Sequence, residues 1–396
     1  MFAPSRPNRK SFARGALALV AALTLAACQQ VSLPGLGGAN TGASIDPSQP
    51  VPVAMLIPRS GGAGGDLVAR GLENAARLAV ADLQGARIDL RVYDTGGDPG
   101  TAAAAATRAV NEGAKIILGP LYTQTTSAAT AVIAGRDINM LSFSNNTAVA
   151  GGNVFVLGQT FDNVAQRLTG FARRQGVQSV AVVHADGLAG VAGRTAIVQA
   201  ASRTGLNIAT VQSYPLTQQG ITAAGPRIAQ AVQASGAQSV FLTANVDSDL
   251  PLIATTLPEN GVNPATTRYM GLTRWNSLPQ ALSIRGLQGG WFTLPDQAVQ
   301  SAFDARYAAA YGSAPHPLAG LGYDAIQAVG SLIAQGRRDA LTAAALTQNR
   351  GFAGASGAFR LLANRTNERA LAVAEIRNNQ VVVIDPAPRR FGGAGF

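Results

Sequence analysis

One cysteine, Cys28, stands in the whole 396-residue chain, and histidine occurs only twice, at 184 and 316. A disulfide framework within the chain is excluded, and without H-x3-H or C-x2-C spacing a metal centre has no ligand set to draw on. Charge is equally sparse, at 13% of residues. The basic residues are nearly all arginine and scattered, never running together with aromatics, which argues against a nucleic-acid groove. No G-x-S-x-G elbow and no G-x4-G-K loop occurs, and GGAGGDLVARG misses the G-x-G-x-x-G spacing. GASG at 354–357 reads as a turn. Catalysis therefore has little to work with: the chain reads as non-enzymatic, with no cofactor and no metal site. His184, at the end of an apolar run, reads as a packing or hinge residue. Asp94 and Asp98 flank a Gly-rich turn that they shape, and Trp275 and Trp291 read as core, with Trp275 within reach of a cleft.

What is present is an apolar, glycine-rich globular composition, 47% hydrophobic with 45 Gly, long enough for two or three domains. The N-terminus is different in kind. The basic stretch MFAPSRPNRKSFARG precedes ALALVAALTLAA, 12 apolar residues that are too few to span a bilayer but suit the central region of a signal peptide. Without Arg6, Arg9, Lys10 and Arg14 the formal charge falls from +10 to +6. The run ends in LAAC, which resembles the bacterial lipobox, and this resemblance implies cleavage before Cys28 and its lipidation. Gln29, in place of the Asp that retains lipoproteins in the inner membrane, implies the periplasmic face of the outer membrane. Residues 29–50, rich in Gly, Pro, Ser and Asn, read as a tether.

From residue 51 short apolar runs alternate with helical patterns. Strands are expected at VPVAMLIP, IDLRVYD, AKIILG and INMLSFS, with helices over DLVARGLENAARLAVADL, TAAAAATRAVNEG and SAATAVIAGRD between them. The pattern restarts with helix FDNVAQRLTGFARRQG, strand SVAVVH, loop ADGLAGVAG, helix RTAIVQAASRTG and strand LNIATVQSYP. It continues through ITAAGPRIAQAVQASG, SVFLTA, a helical stretch near SDLPLIATTLPENG, and RYMGL. FDARYAAAYG and YDAIQAVGSLIAQG are helical, and a β-rich ending, GAFRLLANRTNERALAVAEIRNNQVVVID, closes the chain with a hairpin at NNQ. The fold class is α/β, two doubly wound parallel-sheet lobes with a cleft between them, where strand C-ends meet helix N-termini. The expected organisation is a signal peptide over 1–27, a flexible tether over 28–50, lobe one from 51–159 plus 297–350, lobe two from 160–296 plus 351–386, and a disordered tail over 387–396.

The segments IPRSGGAGGDLVARGLENAARLAV, VYDTGGDPGTAAAAATRAVNEGAKIILGPLYT, INMLSFSNN and SVAVVHADGLAGVAG resemble, in order and spacing, the type I periplasmic binding proteins, nearest to the leucine/isoleucine/valine-binding group. The likeness covers about residues 51–385. It implies that two lobe-one loops hold the carboxylate and ammonium of an amino acid: Tyr122, Thr123 and Gln124 in the first, with Thr123 at the hydroxyl position, and Ser144, Asn145 and Asn146 in the second. Ser60, in the loop after the first strand, joins this candidate cleft. The other reading of these polar residues is capping, with Thr123 and Thr125 capping one helix and Asn145 or Asn146 the next. Lobe two departs from the family. Ala189 stands where the family closes an aromatic side chain over the ligand, and Thr273 stands where it places an acid for the ammonium, with Asp247 or Asp249 as substitutes.

LSFSNN, GPLYT and the lipobox with Gln29 also resemble the outer-membrane lipoproteins that activate penicillin-binding proteins, which reuse this fold for protein contact. That resemblance implies a non-catalytic regulator whose partner is a penicillin-binding protein, a peptidoglycan synthase. The alternative is a substrate-binding protein whose partners are an ABC permease and a small polar solute of amino-acid or amide type. In both, the membrane is reached through the lipid anchor only and nucleic acid is not a partner.

Overall fold

The computed structural model describes residues 42–391. The leader, Cys28 with its lipobox, most of the tether and residues 392–396 lie outside the described residues.

The chain begins with β1 (Val51–Ile57), α1 (Gly62–Asp82), β2 (Ile88–Asp94), α2 (Pro99–Asn111), β3 (Ile116–Leu118), α3 (Thr123–Ile133), β4 (Asn139–Ser142) and β5 (Val154–Val156). It continues with α4 (Phe161–Arg174), β6 (Ser179–Ala185), α5 (Leu188–Thr204), β7 (Asn207–Tyr214), α6 (Gln218–Ala234), β8 (Ser239–Leu242), α7 (Leu250–Glu259), β9 (Arg268–Gly271) and β10 (Trp291–Leu294). Helices α8 (Gln297–Tyr311), α9 (Gly320–Ile333) and α10 (Ala343–Leu346) follow, then β11 (Phe352–Gly354), β12 (Gly357–Leu361), β13 (Asn367–Arg369), β14 (Ala372–Arg377) and β15 (Gln380–Asp385).

The first five strands form one sheet in the order β2-β1-β3-β4-β5, parallel throughout. A parallel sheet is covered on both faces, so its strands are apolar without alternation. Val53, Met55 and Ile57 of β1 share a core with α1 and α9, and Ala54 and Leu56 share another with α2 and α3. The second sheet has the order β15-β14-β10-β9-β8-β6-β7, parallel from β7 to β10 and antiparallel where β14 and β15 add on. Here Val180 and Val182 face α4 and α5, while Ala181 and Val183 face α6 and α7. Strands β5 and β10, three and four residues long, are not foreseen by the sequence pattern.

The chain crosses between the lobes three times: between β5 and α4, between β10 and α8, and between β13 and β14. The third crossing corrects the expected boundary. Phe352, Phe359 and Leu361 bury into the lobe-one core, so residues 351–370 belong to lobe one and only β14 and β15 to lobe two. Two further expectations change. The tether ends before residue 45, because Ile45 is buried in the same core and its N–H donates to the Arg338 carbonyl at 3.0 Å. In the expected tail, Phe391 is buried beneath Arg360, whose guanidinium lies 4.9 Å from the ring centre, a contact that holds the chain down. The crossing segments are cross-linked. Arg369 pairs with Asp324 at 2.8 Å and donates to the Leu157 carbonyl, and Asn367 Nδ2 donates to the carbonyls of Val156 and Gly158.

Candidate functional site

Each lobe ends its parallel strands on a rim of loops that lead into helices. On lobe one, the hydroxyl cluster expected to be a loop is the first turn of α3, which starts at Thr123. Tyr122 takes the N-cap position, and no side chain caps the helix. The capping reading therefore fails at this helix: the Thr125 hydroxyl donates to the Tyr122 carbonyl at 2.9 Å, because its position in the first turn points it back along the chain. The early N–H groups of α3 keep no side-chain acceptor, and the helix dipole makes that end favourable to an anion.

Three predicted residues meet there. The Thr123 hydroxyl lies 3.5 Å from the Ser144 hydroxyl, and Asn146 Nδ2 donates to Thr123 Oγ1 at 3.4 Å. Ser144 Oγ also accepts the Asn146 N–H at 3.1 Å. Asn146 is in addition the cap of the short turn Thr147–Val149, its Oδ1 accepting from the Ala148 N–H, so for this residue the capping reading holds. Ser144 is buried, Thr123 half-buried, and Asn145, Asn146 and Gln124 exposed. Below them the Thr126 and Ser142 hydroxyls lie 2.8 Å apart in a buried layer that fixes the two loops against each other.

Ser60 serves a neighbouring turn. Its N–H donates to Asp94 Oδ1 at 3.2 Å, beside the Gly96 N–H at 2.8 Å. Burial works to raise the Asp94 pKa, but the hydrogen bonds from the Ser60 side chain and from the Gly96, Ser60 and Arg59 backbone outweigh it and hold the carboxyl below its ordinary value. Asp98 caps α2, accepting from the Thr101 N–H at 2.8 Å. A Cβ on Gly97 would stand 3.5 Å from the Tyr122 ring, so the Gly-rich turn gives this ring its seat. Tyr122 is 43% exposed, an aromatic face beside the hydroxyl cluster.

The lobe-two rim is different. The Thr273 hydroxyl donates to the Ala244 carbonyl at 2.9 Å, tying the loop after β9 to the loop after β8. Asp249 is buried and accepts from the Tyr214 hydroxyl at 2.6 Å, the Asn245 N–H at 2.7 Å and the Ser248 hydroxyl at 3.0 Å. Burial, and then this bond to Asp249, push the Tyr214 pKa far up. Asp249 is thus committed to its own loop and does not stand in for an acid facing a ligand, whereas Asp247 is exposed. Trp275 is fully buried against Phe292, with ring centres 5.5 Å apart, and does not reach the rim. Trp291 is buried, its Nε1 donating to Glu375. His184 is buried with Nδ1 2.9 Å from the Ala185 carbonyl, a packing position.

Sequence reasoning missed Leu188. It is the first residue of α5 and 93% exposed, next to the Ala189 where the family carries its aromatic. The signal was a lone large apolar residue in a loop of small and polar ones. Among the described residues no group of His, Cys, Asp and Glu could hold a metal ion, and no helix is long and apolar enough to cross a membrane.

Comparison with known proteins matches this architecture. A 108-residue stretch is 32% identical to an uncharacterized protein of Rickettsia prowazekii; the match spans 27% of this chain and 28% of that relative's length. A branched-chain amino acid ABC transporter periplasmic ligand-binding protein from Burkholderia xenovorans superposes with a TM-score of 0.65 at 18% identity, covering 87% of this chain and 97% of that one. An ABC transporter solute-binding protein from R. palustris, in complex with benzoate, gives a TM-score of 0.56 at 18% identity over 88% and 99% of the two chains. At such identities the likeness carries the fold. The family model for periplasmic binding proteins matches residues 50–380, and the chain belongs to that family.

Proposed function

We propose that the protein captures a small carboxylate-bearing solute between its lobes and delivers it to an ABC importer. The observation that carries this is the convergence of Thr123, Ser144 and Asn146 at the uncapped start of α3. Hydroxyl and amide donors at a helix N-terminus are suited to a carboxylate. The exposed Tyr122 ring and Leu188 supply apolar surface for the rest of the ligand. With Thr273 in the acid's place and Asp249 committed internally, an α-ammonium would be desolvated without a charged partner, which is costly. An apolar acid without an ammonium, such as an aromatic carboxylate, fits better than a free amino acid, and the benzoate-bound relative offers a precedent for that class.

The activator reading, in which the fold contacts a penicillin-binding protein and its cleft is idle, draws on the same lobe-two departures. The two solved structures described above are ABC transporter binding proteins, so the importer reading stands first. Both readings put the protein in the periplasm, held by a lipidated Cys28; Cys28→Ser is expected to release it from membranes, and unchanged fractionation would remove the anchor. The function is tested by a thermal-shift screen of aromatic and aliphatic carboxylates alongside amino acids. A saturating ligand is expected to raise Tm by several degrees, with the shift abolished by Thr123→Ala. If nothing in the screen shifts Tm, the importer reading falls behind the activator reading. A shift given by amino acids alone overturns the preference for an acid without an ammonium.

A further inference from the structure

A cavity of about 820 Å³ opens between α4, the C-terminal turns of α5 and the hairpin of β12 and β13, with Thr147 at one edge of its lining. Six guanidiniums line it against two carboxylates, Asp162 and Glu368. Three of the six are held by acids of their own: Arg167 by Asp385 at 3.0 Å, Arg360 by Glu368 at 2.6 Å and Arg369 by Asp324 at 2.8 Å. Arg174 has only a share of Asp385, which already serves Arg167. Arg173 donates to neutral oxygens of Val177 and Gln178. Arg203 makes no hydrogen bond or ion pair among the described residues.

Cations in the last turn of a helix offset its dipole, which accounts for Arg173 and Arg174 on α4 and Arg203 on α5 taken singly. It does not account for two helix ends bringing three cations to one cavity where only Arg174 has an acid, Asp385, which it shares with Arg167. We infer that this cavity is a second binding site, for an anion bearing a phosphate group. A guanidinium presents a planar fork that matches phosphate oxygens in pairs. Gln199, Asn364 and Thr366 add neutral polar groups to the lining. The volume suits a small solute or a single headgroup. The inference uses none of the cleft residues named above, although Thr147 of the lining directly follows Asn146.

The shared chemistry has two sources, a free phosphate-bearing solute and a phospholipid headgroup, and two probes separate them. The full chain carrying Cys28→Ser, so that no acyl chain intervenes, is titrated calorimetrically with inorganic pyrophosphate. It is also sedimented with phosphatidylglycerol vesicles, using phosphatidylcholine vesicles as reference. Saturable binding to at least one probe is expected, weakened about tenfold or more in Arg173→Gln with Arg203→Gln. Arg203 holds no other element and Arg173 bonds only to the turn that follows α4, so Tm is expected to fall by no more than a few degrees, and Thr123→Ala is expected to bind as the parent does. Pyrophosphate binding assigns the site to a free solute. Preference for phosphatidylglycerol without pyrophosphate binding assigns it to a headgroup. Absence of both, or binding that the double variant retains in full, overturns the inference.

Discussion

Both lobes close their parallel strands with loops that run into helices, yet their polar side chains are used in opposite ways. On lobe one, Thr123, Ser144 and Asn146 bond loosely to one another at 3.1–3.5 Å and stand at a helix end that no side chain caps. On lobe two, Thr273 bonds to the loop after β8, and Asp249 bonds to its own loop and to the end of β7, at 2.6–3.0 Å. The first arrangement can exchange its internal contacts for a ligand's; the second cannot without dismantling the rim. On the function proposed above, lobe one supplies the polar half of the site, and lobe two contributes apolar surface, shape and stability. Substitutions of similar size should therefore separate stability from affinity according to the lobe they strike.

The largest effect is expected at Asp249. Asp249→Ala leaves the buried Tyr214 hydroxyl without an acceptor and takes the acceptor from the Asn245 N–H, at a cost of about 3 kcal/mol in unfolding free energy. Chemical denaturation measures it. A loss well under about 1 kcal/mol would mean that the lobe-two rim is looser than its bonds suggest. Next comes lobe one. Thr123→Ala with Asn146→Ala is expected to weaken ligand binding by about 10- to 100-fold while unfolding changes by less than about 1 kcal/mol. Calorimetric titration beside the same denaturation experiment gives both numbers. The reverse pattern would erase the contrast between the rims.

A gain sharpens the comparison further. Thr273→Glu installs the carboxylate that the family uses, at the loss of one bond to the Ala244 carbonyl. Leucine should then bind about tenfold more tightly than to the parent, and an aromatic carboxylate more weakly, because a second anion faces it. If leucine affinity does not change, position 273 does not face the ligand.

How much of this was legible differs from element to element. The strand runs VPVAMLI and SVAVVHA were plain because a strand buried on both faces is apolar at every position. Helix starts were not. Residues 62–65, ahead of the expected helix start at Asp66, and the loop residues 188–193 are the first turns of α1 and α5. At α5 the glycines serve close packing: a Cβ on Gly190 would lie 2.1 Å from the Ala185 carbonyl oxygen, and one on Gly193 2.8 Å from Leu272. Propensity penalises glycine inside a helix, and tertiary contact overrides it here. The hydroxyl cluster at 123–126 misled in the same way, since Thr and Ser suggest caps and turns, while in α3 they are helix. Thr123, Ser144 and Asn146 were singled out through the family resemblance, at places where strands hand over to helices, and the fold brings them together. The commitment of Asp249 and Thr273 could not be seen, because Tyr214 at the end of β7 and Ala244 in the loop after β8 approach them only in the fold. Residues 351–370 were misplaced for a related reason: a short antiparallel sheet gives no sign of which core it will cover.

The smallest expected effect concerns the turn beneath Tyr122. Asp94 accepts N–H groups from Ser60 and Gly96, and its pKa is held below the ordinary 3.8. A carboxyl whose folded-state pKa is lowered adds stability that is complete above its unfolded value and disappears as pH falls through the folded one. Asp94→Asn is nearly isosteric but neutral, so the parent should exceed it in Tm at neutral pH, with the gap closing as the pH drops below 3.8. Because Gly97 seats the Tyr122 ring, the same variant should loosen ligand binding by a few-fold at most, through the ring rather than through Thr123. A Tm gap that persists undiminished in acid would show that Asp94 acts on the turn by shape alone. The lobe-one rim would then owe its order to the buried Thr126–Ser142 layer, and not to the charge at the end of β2.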